Sequence, residues 1–582
     1  MAQSRLQKLG EYLRPYRRNT VIGIGALLIV NAINVYIPEL IKEGINTLET
    51  TFRFAEVTRY AVLTIVFASL MWVVRMTSRI LIFGVGRQVE FDLKQKIFQH
   101  LLTLEPAYFG RTTPGELISR ATSDVDNIRR LLGFAVLSLA NTIFAYALTL
   151  PSMLRISGRL TVASLAIYPV MFFLVKLFSE TLRNEQLRVQ EENANVSDLI
   201  QEDMSGISLI KIYGQEQNER RAFRTLNQQL LTANLALGKT RNTLFPLLGG
   251  LASISILIVM ALGARAIANG EITIGGFVQM LLYVQLLVFP TALLGFTITA
   301  YQRGEVSLDR IEAILSVEPA IQDDERAIAL PHDSVRGRLE AHHLSYTYPG
   351  ISRPALDDVS FTIEPGETVA VVGPIGSGKS TLANALPHLL DIQPGQLFVD
   401  GQDITQIRLQ DLRRAIAYVP QDSFLFSNTI RDNIRYGEPL IDQPEVEYAS
   451  KQAQIHPEIL NFPRQYDTLV GERGITLSGG QRQRTSLARA LLVDAPILIL
   501  DDALSSVDNQ TATAILDHLS GGTAQKTVIF ISHQMSAAAS ADRIFVMEEG
   551  RIVQIGTHSE LLAQGGLYQK LWEQHQLEEV FQ

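Results

Sequence analysis

Gly373-Pro374-Ile375-Gly376-Ser377-Gly378-Lys379-Ser380 follows the strand-like run Thr368-Val369-Ala370-Val371-Val372 and precedes a helix that begins at Thr381. A strand, a glycine-rich turn closing on Gly-Lys-Ser, and a helix form a phosphate cradle, the P-loop. Gly373, Gly376 and Gly378 let successive backbone N–H groups turn inward around a β-phosphate, and the helix N-terminus adds partial positive charge. Lys379 is placed to reach the β- and γ-phosphates, and the Ser380 hydroxyl to ligate Mg²⁺; Ser377 and Thr381 complete the nucleotide-contacting set of this loop. The stretch predicts an α/β P-loop NTPase domain around it.

Downstream, the apolar strand Ile497-Leu498-Ile499-Leu500 ends in Asp501-Asp502. A buried strand that delivers a carboxylate to a bound metal makes Asp501 the Mg²⁺ partner. Between the two motifs stand Val419-Pro420-Gln421-Asp422 and Leu477-Ser478-Gly479-Gly480-Gln481, and after them Ser505-Ser506-Val507-Asp508 and Ile531-Ser532-His533. Alone, the Leu-Ser-Gly-Gly-Gln segment reads as the start of a glycine-containing helix and His533 as a strand end. Order and spacing together carry the meaning.

Upstream, the composition changes. The chain has 582 residues, 51 Lys+Arg against 59 Asp+Glu, a net charge of −8, 47% hydrophobic and only 19% charged residues, and no cysteine. A soluble chain of this length would form roughly four domains with about a quarter of its residues charged. The deficit of charge lies in the first 310 residues. The absence of cysteine excludes disulfides, thiolate metal sites and a cysteine nucleophile, and the acidic balance gives no basic face for nucleic acid. The N-terminus, Met1 to Arg18, is basic and polar rather than an apolar leader.

Charge-free runs at Asn19–Pro38, Tyr60–Val74, Leu131–Leu154, Leu160–Val175, Asn242–Ala264 and Ile272–Gln302 predict six transmembrane helices. The second extends past Arg75 and Arg79 to Gly86, and the fourth past Lys176 to Phe178, if those cations snorkel or face a polar cavity. Asn31, Asn34, Gln279 and Gln285 lie in the runs, with helix-packing hydrogen bonds as their expected role and cavity lining as the alternative. Lys and Arg concentrate in the N-terminal tail and in segments 87–130 and 183–241, which places these and both termini in the cytoplasm. The two long segments have the composition of helices that continue out of the bilayer; at about 1.5 Å per residue, 20 residues reach roughly 30 Å. Each has a break, at Glu105-Pro106-Ala107-Tyr108-Phe109-Gly110 and at Met204-Ser205-Gly206, where a short transverse helix is expected.

On these motifs the sequence resembles the ATP-binding cassette (ABC) transporters, and specifically half-transporter exporters with six membrane helices followed by one nucleotide-binding domain. The expected architecture is an α-helical polytopic membrane domain at 1–318, a linker at 319–336 and an α/β nucleotide-binding domain at 337–582. The resemblance implies that Leu477–Gln481 is the signature, with Ser478, Gly479, Gly480 and Gln481 contacting ATP held by a partner subunit in a head-to-tail dimer. It implies Tyr348, in Leu344-Ser345-Tyr346-Thr347-Tyr348-Pro349, stacked on adenine, with Tyr346 the rival and a plain strand tyrosine the other reading. It further implies Gln421 sensing Mg²⁺, Asp508 joining the two sites and His533 contacting the γ-phosphate. Thr468-Leu469-Val470-Gly471-Glu472-Arg473-Gly474 is similar to an exporter-specific loop, and Gly115–Arg120, Asp124-Val125-Asp126 and Ser205-Gly206-Ile207 match the coupling regions of the membrane half.

Two departures from the family pattern stand out. Pro387 is expected to shorten or kink the helix after the P-loop. Asp502 occupies the place of the usual glutamate general base, and one methylene less retracts the carboxylate by about 1–1.5 Å, a misplacement that costs on the order of a hundredfold. The expected function is ATP-driven export of a hydrophobic or amphipathic small molecule, lipid or peptide across a bacterial cytoplasmic membrane. The cofactors are ATP and Mg²⁺, the partner is a second half-transporter with a heterodimer favoured over a homodimer, and this chain's own ATPase site is weakened. The alternative is an ATP-gated channel or regulatory subunit.

Overall fold

The computed structural model describes residues 5–581 apart from 51–53, 325, 332–333, 506, 508–510, 513 and 516–525. The chain divides into two compact units, Met1–Leu102 with Thr113–Val317, and Thr103–Thr112 with Glu318–Gln582.

The first unit is helical. Six of its helices are long and apolar enough to cross a membrane: α1 (Gln7–Glu49), α2 (Phe54–Leu101), α3 (Pro114–Ile156), α4 (Gly158–Ser205), α5 (Glu216–Ala268) and α6 (Ile274–Leu315). Their 42 to 53 residues make rods of roughly 63 to 80 Å, about twice a hydrocarbon core. The excess length is explained within α2. Its first half turns Ile65 and Trp72 outward, as a lipid-facing surface requires. Its second half buries Val85, Val89, Leu93 and Ile97, a stripe at four-residue spacing typical of an amphipathic helix in water. These pack with Val125, Ile128 and Leu131 of α3 and Leu308 and Ile311 of α6. One continuous helix therefore inverts its polarity where the solvent changes.

Polar residues in the apolar runs mostly bond to neighbouring helices. Asn31 Nδ2 donates to Asn141 Oδ1 at 3.1 Å, Arg75 to Asn34 Oδ1 at 3.3 Å, and Gln279 Nε2 to the Tyr283 hydroxyl at 3.0 Å and to Glu39. Both expected breaks are present as a short helix at Pro106–Arg111 and another at Ile207–Tyr213.

The second unit carries two sheets. An antiparallel sheet has the order β2-β1-β4-β5, with β1 Leu339–Tyr346, β2 Leu356–Ile363, β4 Leu397–Val399 and β5 Gln402–Asp403. The other has the order β10-β9-β3-β8-β7-β6, with β3 Thr368–Val372, β6 Ile416–Val419, β7 Ile497–Asp501, β8 Thr527–Ile531, β9 Arg543–Glu548 and β10 Arg551–Gly556. In this sheet only the β9–β10 pair is antiparallel. Every residue of β3, β7 and β8 is buried, because both faces are covered. Ala370, Val372, Leu498, Leu500, Val528 and Phe530 fill one core, and Val369, Val371, Ile497, Ile499, Ile529 and Ile531 the other. That strict alternation is the two-residue period of a strand, and it fixes which residue emerges at each strand end. Thr103–Thr112 belongs to this unit, where the Ala320 N–H donates to Glu105 Oε2 at 3.3 Å.

Candidate nucleotide site

Register places the site. Val371 of β3 and Asp501 of β7 both pair with Ile531 of β8, so the P-loop and the two aspartates leave the sheet at one level, at the carboxyl ends of parallel strands, where ligands of open α/β sheets bind. The Asp502 N–H donates to the Ile531 carbonyl at 3.1 Å and holds the turn there. The resulting cavity of about 340 Å³ is lined by Tyr348, Gly376, Ser377, Gly378, Lys379, Ser380, Thr381, Gln421, Asp501, Asp502 and His533, with Ala355, Ile375 and Ile531. Residues from five sequence motifs meet in one place.

The glycines answer to geometry. Gly373 has φ +151 and a Cβ there would lie 2.2 Å from the Met547 carbonyl; Gly378 has φ +99 and its Cβ would lie 2.5 Å from the Ala355 carbonyl. No side chain fits either position. The loop thus presses against the sheet, and the following helix, α7 (Lys379–Ala385), starts from Gly378. It ends after seven residues, short of Pro387, whose missing N–H and ring oppose a further turn.

Lys379 is buried, and its Nζ donates to the carbonyls of Gly373 and Pro374 at 2.8 Å each. Burial pushes its pKa down, while Asp502 and Asp501 oppose that shift. Ser380 Oγ donates to Asp501 Oδ1 at 3.0 Å. The Tyr418 hydroxyl lies 3.0 Å from Asn384 Oδ1 and 3.4 Å from Asp501 Oδ2. Burial raises the pKa of Asp501, against the Ser380 and Tyr418 hydrogen bonds. Burial also raises that of Asp502, against His533 and Ser505. The Ser377 hydroxyl is buried without a hydrogen-bond partner. A desolvated ammonium and an unpartnered hydroxyl on a glycine-rich loop make a pocket that a polyphosphate fits.

The oxygens of Ser380 and Asp501 are the hard donors Mg²⁺ takes, and this ion is ordinarily held by one or two protein oxygens with the substrate's phosphates supplying the rest. No group of three or more His, Asp or Glu that could hold a metal occurs among the described residues.

Tyr348, not Tyr346, lines the cavity: its hydroxyl is 3.3 Å from Thr381 Oγ1, and its ring meets that of the buried Tyr346 edge-on at 5.0 Å. Asp508 lies outside the described residues. The signature is elsewhere. Ser478 caps helix α8 (Gly479–Leu492), accepting from the Gln481 N–H at 3.2 Å while Gln481 Oε1 accepts from the Ser478 N–H at 3.0 Å. None of Ser478, Gly479, Gly480 and Gln481 lines the phosphate cavity. Sequence reasoning missed Tyr418 and Gln483. Tyr418 sits three positions before Gln421 on β6, and Gln483 Nε2 donates to Ser505 Oγ at 2.9 Å beneath Asp502. Strand membership signalled the first, but neither partner follows from spacing.

A phosphate cradle at the carboxyl edge of a parallel sheet, on one chain with six membrane-length helices, defines a membrane-bound ATPase. Family models agree: the ABC transporter transmembrane region matches residues 20–291 and the ABC transporter model matches 356–505. The chain is 34% identical over 574 residues to a probable multidrug resistance ABC transporter ATP-binding/permease protein of Bacillus subtilis, covering 98% of both. It is 31% identical to an ATP-dependent lipid A-core flippase of Syntrophus aciditrophicus, over 98% of this chain and 94% of that protein. A bacterial Atm1-family ABC exporter solved with ATP bound superposes with a TM-score of 0.78 at 27% identity, over 96% of this chain and 99% of that one. The chain belongs to the ABC transporters, as a half-transporter of the multidrug and lipid-flippase exporter type. It is an integral multi-pass membrane protein that couples ATP hydrolysis to transport.

Proposed function

We propose that the protein exports a hydrophobic or amphipathic substrate across a bacterial cytoplasmic membrane by alternating access, as one half of a dimer, with its nucleotide-binding domain (337–582) in the cytoplasm. The carrying observation is that the signature lines no part of the chain's own phosphate cavity: Ser478–Gln481 begin a helix whose cap is complete, and none of them is on that cavity's wall. ABC exporters act as dimers, and a head-to-tail pair gives each signature a partner's nucleotide to face.

Within this chain's site, Lys379 binds the β- and γ-phosphates, Ser377 and the loop N–H groups hold the rest of the chain of phosphates, and Tyr348 packs on the base. Ser380 and Asp501, with Gln421, would hold Mg²⁺, which when bound would supply charge neutralisation on the transferring phosphoryl group. Asp502 orients the attacking water and His533 contacts the γ-phosphate. Asp508 belongs to the subunit contact. The short Asp502 carboxylate makes this site the slower of two, which favours a heterodimer whose other chain carries glutamate.

The test is reconstitution into vesicles with the nucleotide site outward and a panel of amphipathic fluorescent dyes. Accumulation against the gradient that needs ATP and is absent in Lys379→Ala is the expected result. Dye flow only down its gradient, opened by a non-hydrolysable ATP analogue, would replace the pump with an ATP-gated channel.

A further inference from the structure

A cavity of about 670 Å³ in the first unit is lined by an excess of positive charge. Four helices each contribute one guanidinium: Arg130 from α3, Arg183 from α4, Arg241 from α5 and Arg303 from α6. No carboxylate is among the lining residues. Arg130 is already engaged, with its Nε donating to Asp126 Oδ2 at 2.7 Å. Arg183, Arg241 and Arg303 have no side-chain partner among the described residues. The Ser179 hydroxyl, also on the lining, is buried and makes no hydrogen bond.

Position sharpens the point. Arg130 immediately precedes the apolar run that starts at Leu131, Arg241 the run that starts at Asn242, and Arg303 follows the run that ends at Gln302. Three cations thus flank the same end of three apolar runs. The rest of the wall is apolar, with Phe134, Leu244 and Phe296. Cations that merely obey the positive-inside rule snorkel separately to headgroups or water; these four, although exposed, share the wall of one open-sided cavity. Arginine is suited to planar, bidentate recognition of phosphate and carboxylate.

We propose that this cavity binds an anionic amphiphile, its phosphate, sulfate or carboxylate head on Arg183, Arg241 and Arg303 and its apolar body against Phe134, Leu244 and Phe296. The proposal rests on the export reading in taking the occupant as cargo, and it narrows that cargo to one charge class. An acidic bilayer lipid and a soluble acidic amphiphile share this chemistry.

The experiment measures equilibrium binding of radiolabelled dodecyl phosphate to the full-length protein in phosphatidylcholine nanodiscs, over empty discs and without nucleotide, so it is independent of pumping. Saturable binding that dodecylamine does not displace is expected. Each of Arg183→Gln, Arg241→Gln and Arg303→Gln should weaken it about five- to tenfold. The triple Arg→Lys variant keeps the charge and should bind within about threefold, which guards against a folding defect in the Gln series. The triple Arg→Glu variant should prefer dodecylamine. Unchanged affinity in the triple Gln variant, or equal binding of dodecylamine by the wild type, overturns the proposal. Nanodiscs with phosphatidylglycerol assign the source: competition with dodecyl phosphate identifies a bilayer lipid, and its absence a soluble amphiphile, each supporting an anion site. Failure of dye pumping with this binding intact would strike the export reading alone.

Discussion

The P-loop and the Leu477–Gln481 segment are both helix starts in the same unit, yet they are completed differently. At the P-loop, α7 starts from a glycine with no capping side chain, and Lys379 Nζ donates to the loop's own carbonyls. At the signature, Ser478 and Gln481 satisfy each other in a capping box, leaving no vacancy among the side chains. What remains there is the helix dipole and two glycines without side chains, a surface that attracts an anion only when another molecule presents one. On the head-to-tail reading proposed above, one end encloses a phosphate and the other meets a partner's.

Breaking the enclosing end should have the largest effect. Lys379→Ala removes the one side-chain cation lining the phosphate cavity among the described residues apart from any charge on His533. ATP affinity measured by equilibrium binding should fall about a hundredfold or more, on the scale of a charge-assisted contact in a desolvated site. Unchanged affinity would remove the P-loop assignment. The meeting end is sharpened by Ser478→Asp. Aspartate caps as well as serine, so melting of the protein should move little. A carboxylate aimed at a partner's γ-phosphate should nonetheless slow turnover about a hundredfold. If turnover survives with the cap intact, Ser478 is a cap and nothing more.

Asp502 tests whether the two ends of a dimer are equivalent. Its backbone lies at φ 50, a left-handed conformation that Asp and Asn tolerate better than most residues, so Asp502→Asn keeps the turn. In a heterodimer with a glutamate-bearing partner, that change should alter steady-state hydrolysis by less than about twofold. In a homodimer it should abolish it, and Asp502→Glu should raise it by about ten- to a hundredfold. Hydrolysis by the purified chain alone, lost in Asp502→Asn, would establish the homodimer.

The same contrast explains what the sequence made legible. Gly373, Gly378, Lys379, Ser380 and Asp501 were readable because phosphate chemistry and backbone clash leave each position almost no choice of residue. The six spans were readable because a bilayer demands apolar length. Cavity residues were not. Arg183, Arg241 and Arg303 sit more than 50 residues apart in sequence, and nothing local says that their helices converge, whereas Asn31, Asn34 and Gln279, three of the polar residues visible inside the runs, are spent on helix packing, Gln279 through Glu39. Asp124, in a segment matched to the coupling regions, is likewise tied up in packing in a way that spacing did not show: it is buried and accepts from Ser307 Oγ at 2.7 Å.

The smallest expected effect concerns Tyr418, which touches the enclosing end from beneath. Its hydroxyl stands 3.4 Å from Asp501 Oδ2, and that hydrogen bond lowers the Asp501 pKa against the larger upward push of burial. Tyr418→Phe deletes the bond and keeps the ring, so the Asp501 pKa should rise further. Asp501 must be ionised to share Mg²⁺ with Ser380, and a raised pKa means that ionisation is lost at a higher pH as the solution is acidified. At neutral pH the variant should therefore bind Mg²⁺-ATP within about threefold of wild type, the scale of one neutral hydrogen bond. Below neutrality the gap should widen, with the acidic limb of the binding profile displaced upward from that of the wild type. With EDTA in place of Mg²⁺ the two profiles should coincide, because Asp501 then has no metal to hold. A gap that is independent of pH, or that persists in EDTA, would make Tyr418 a packing residue and leave Ser380 as the only side chain that orients Asp501.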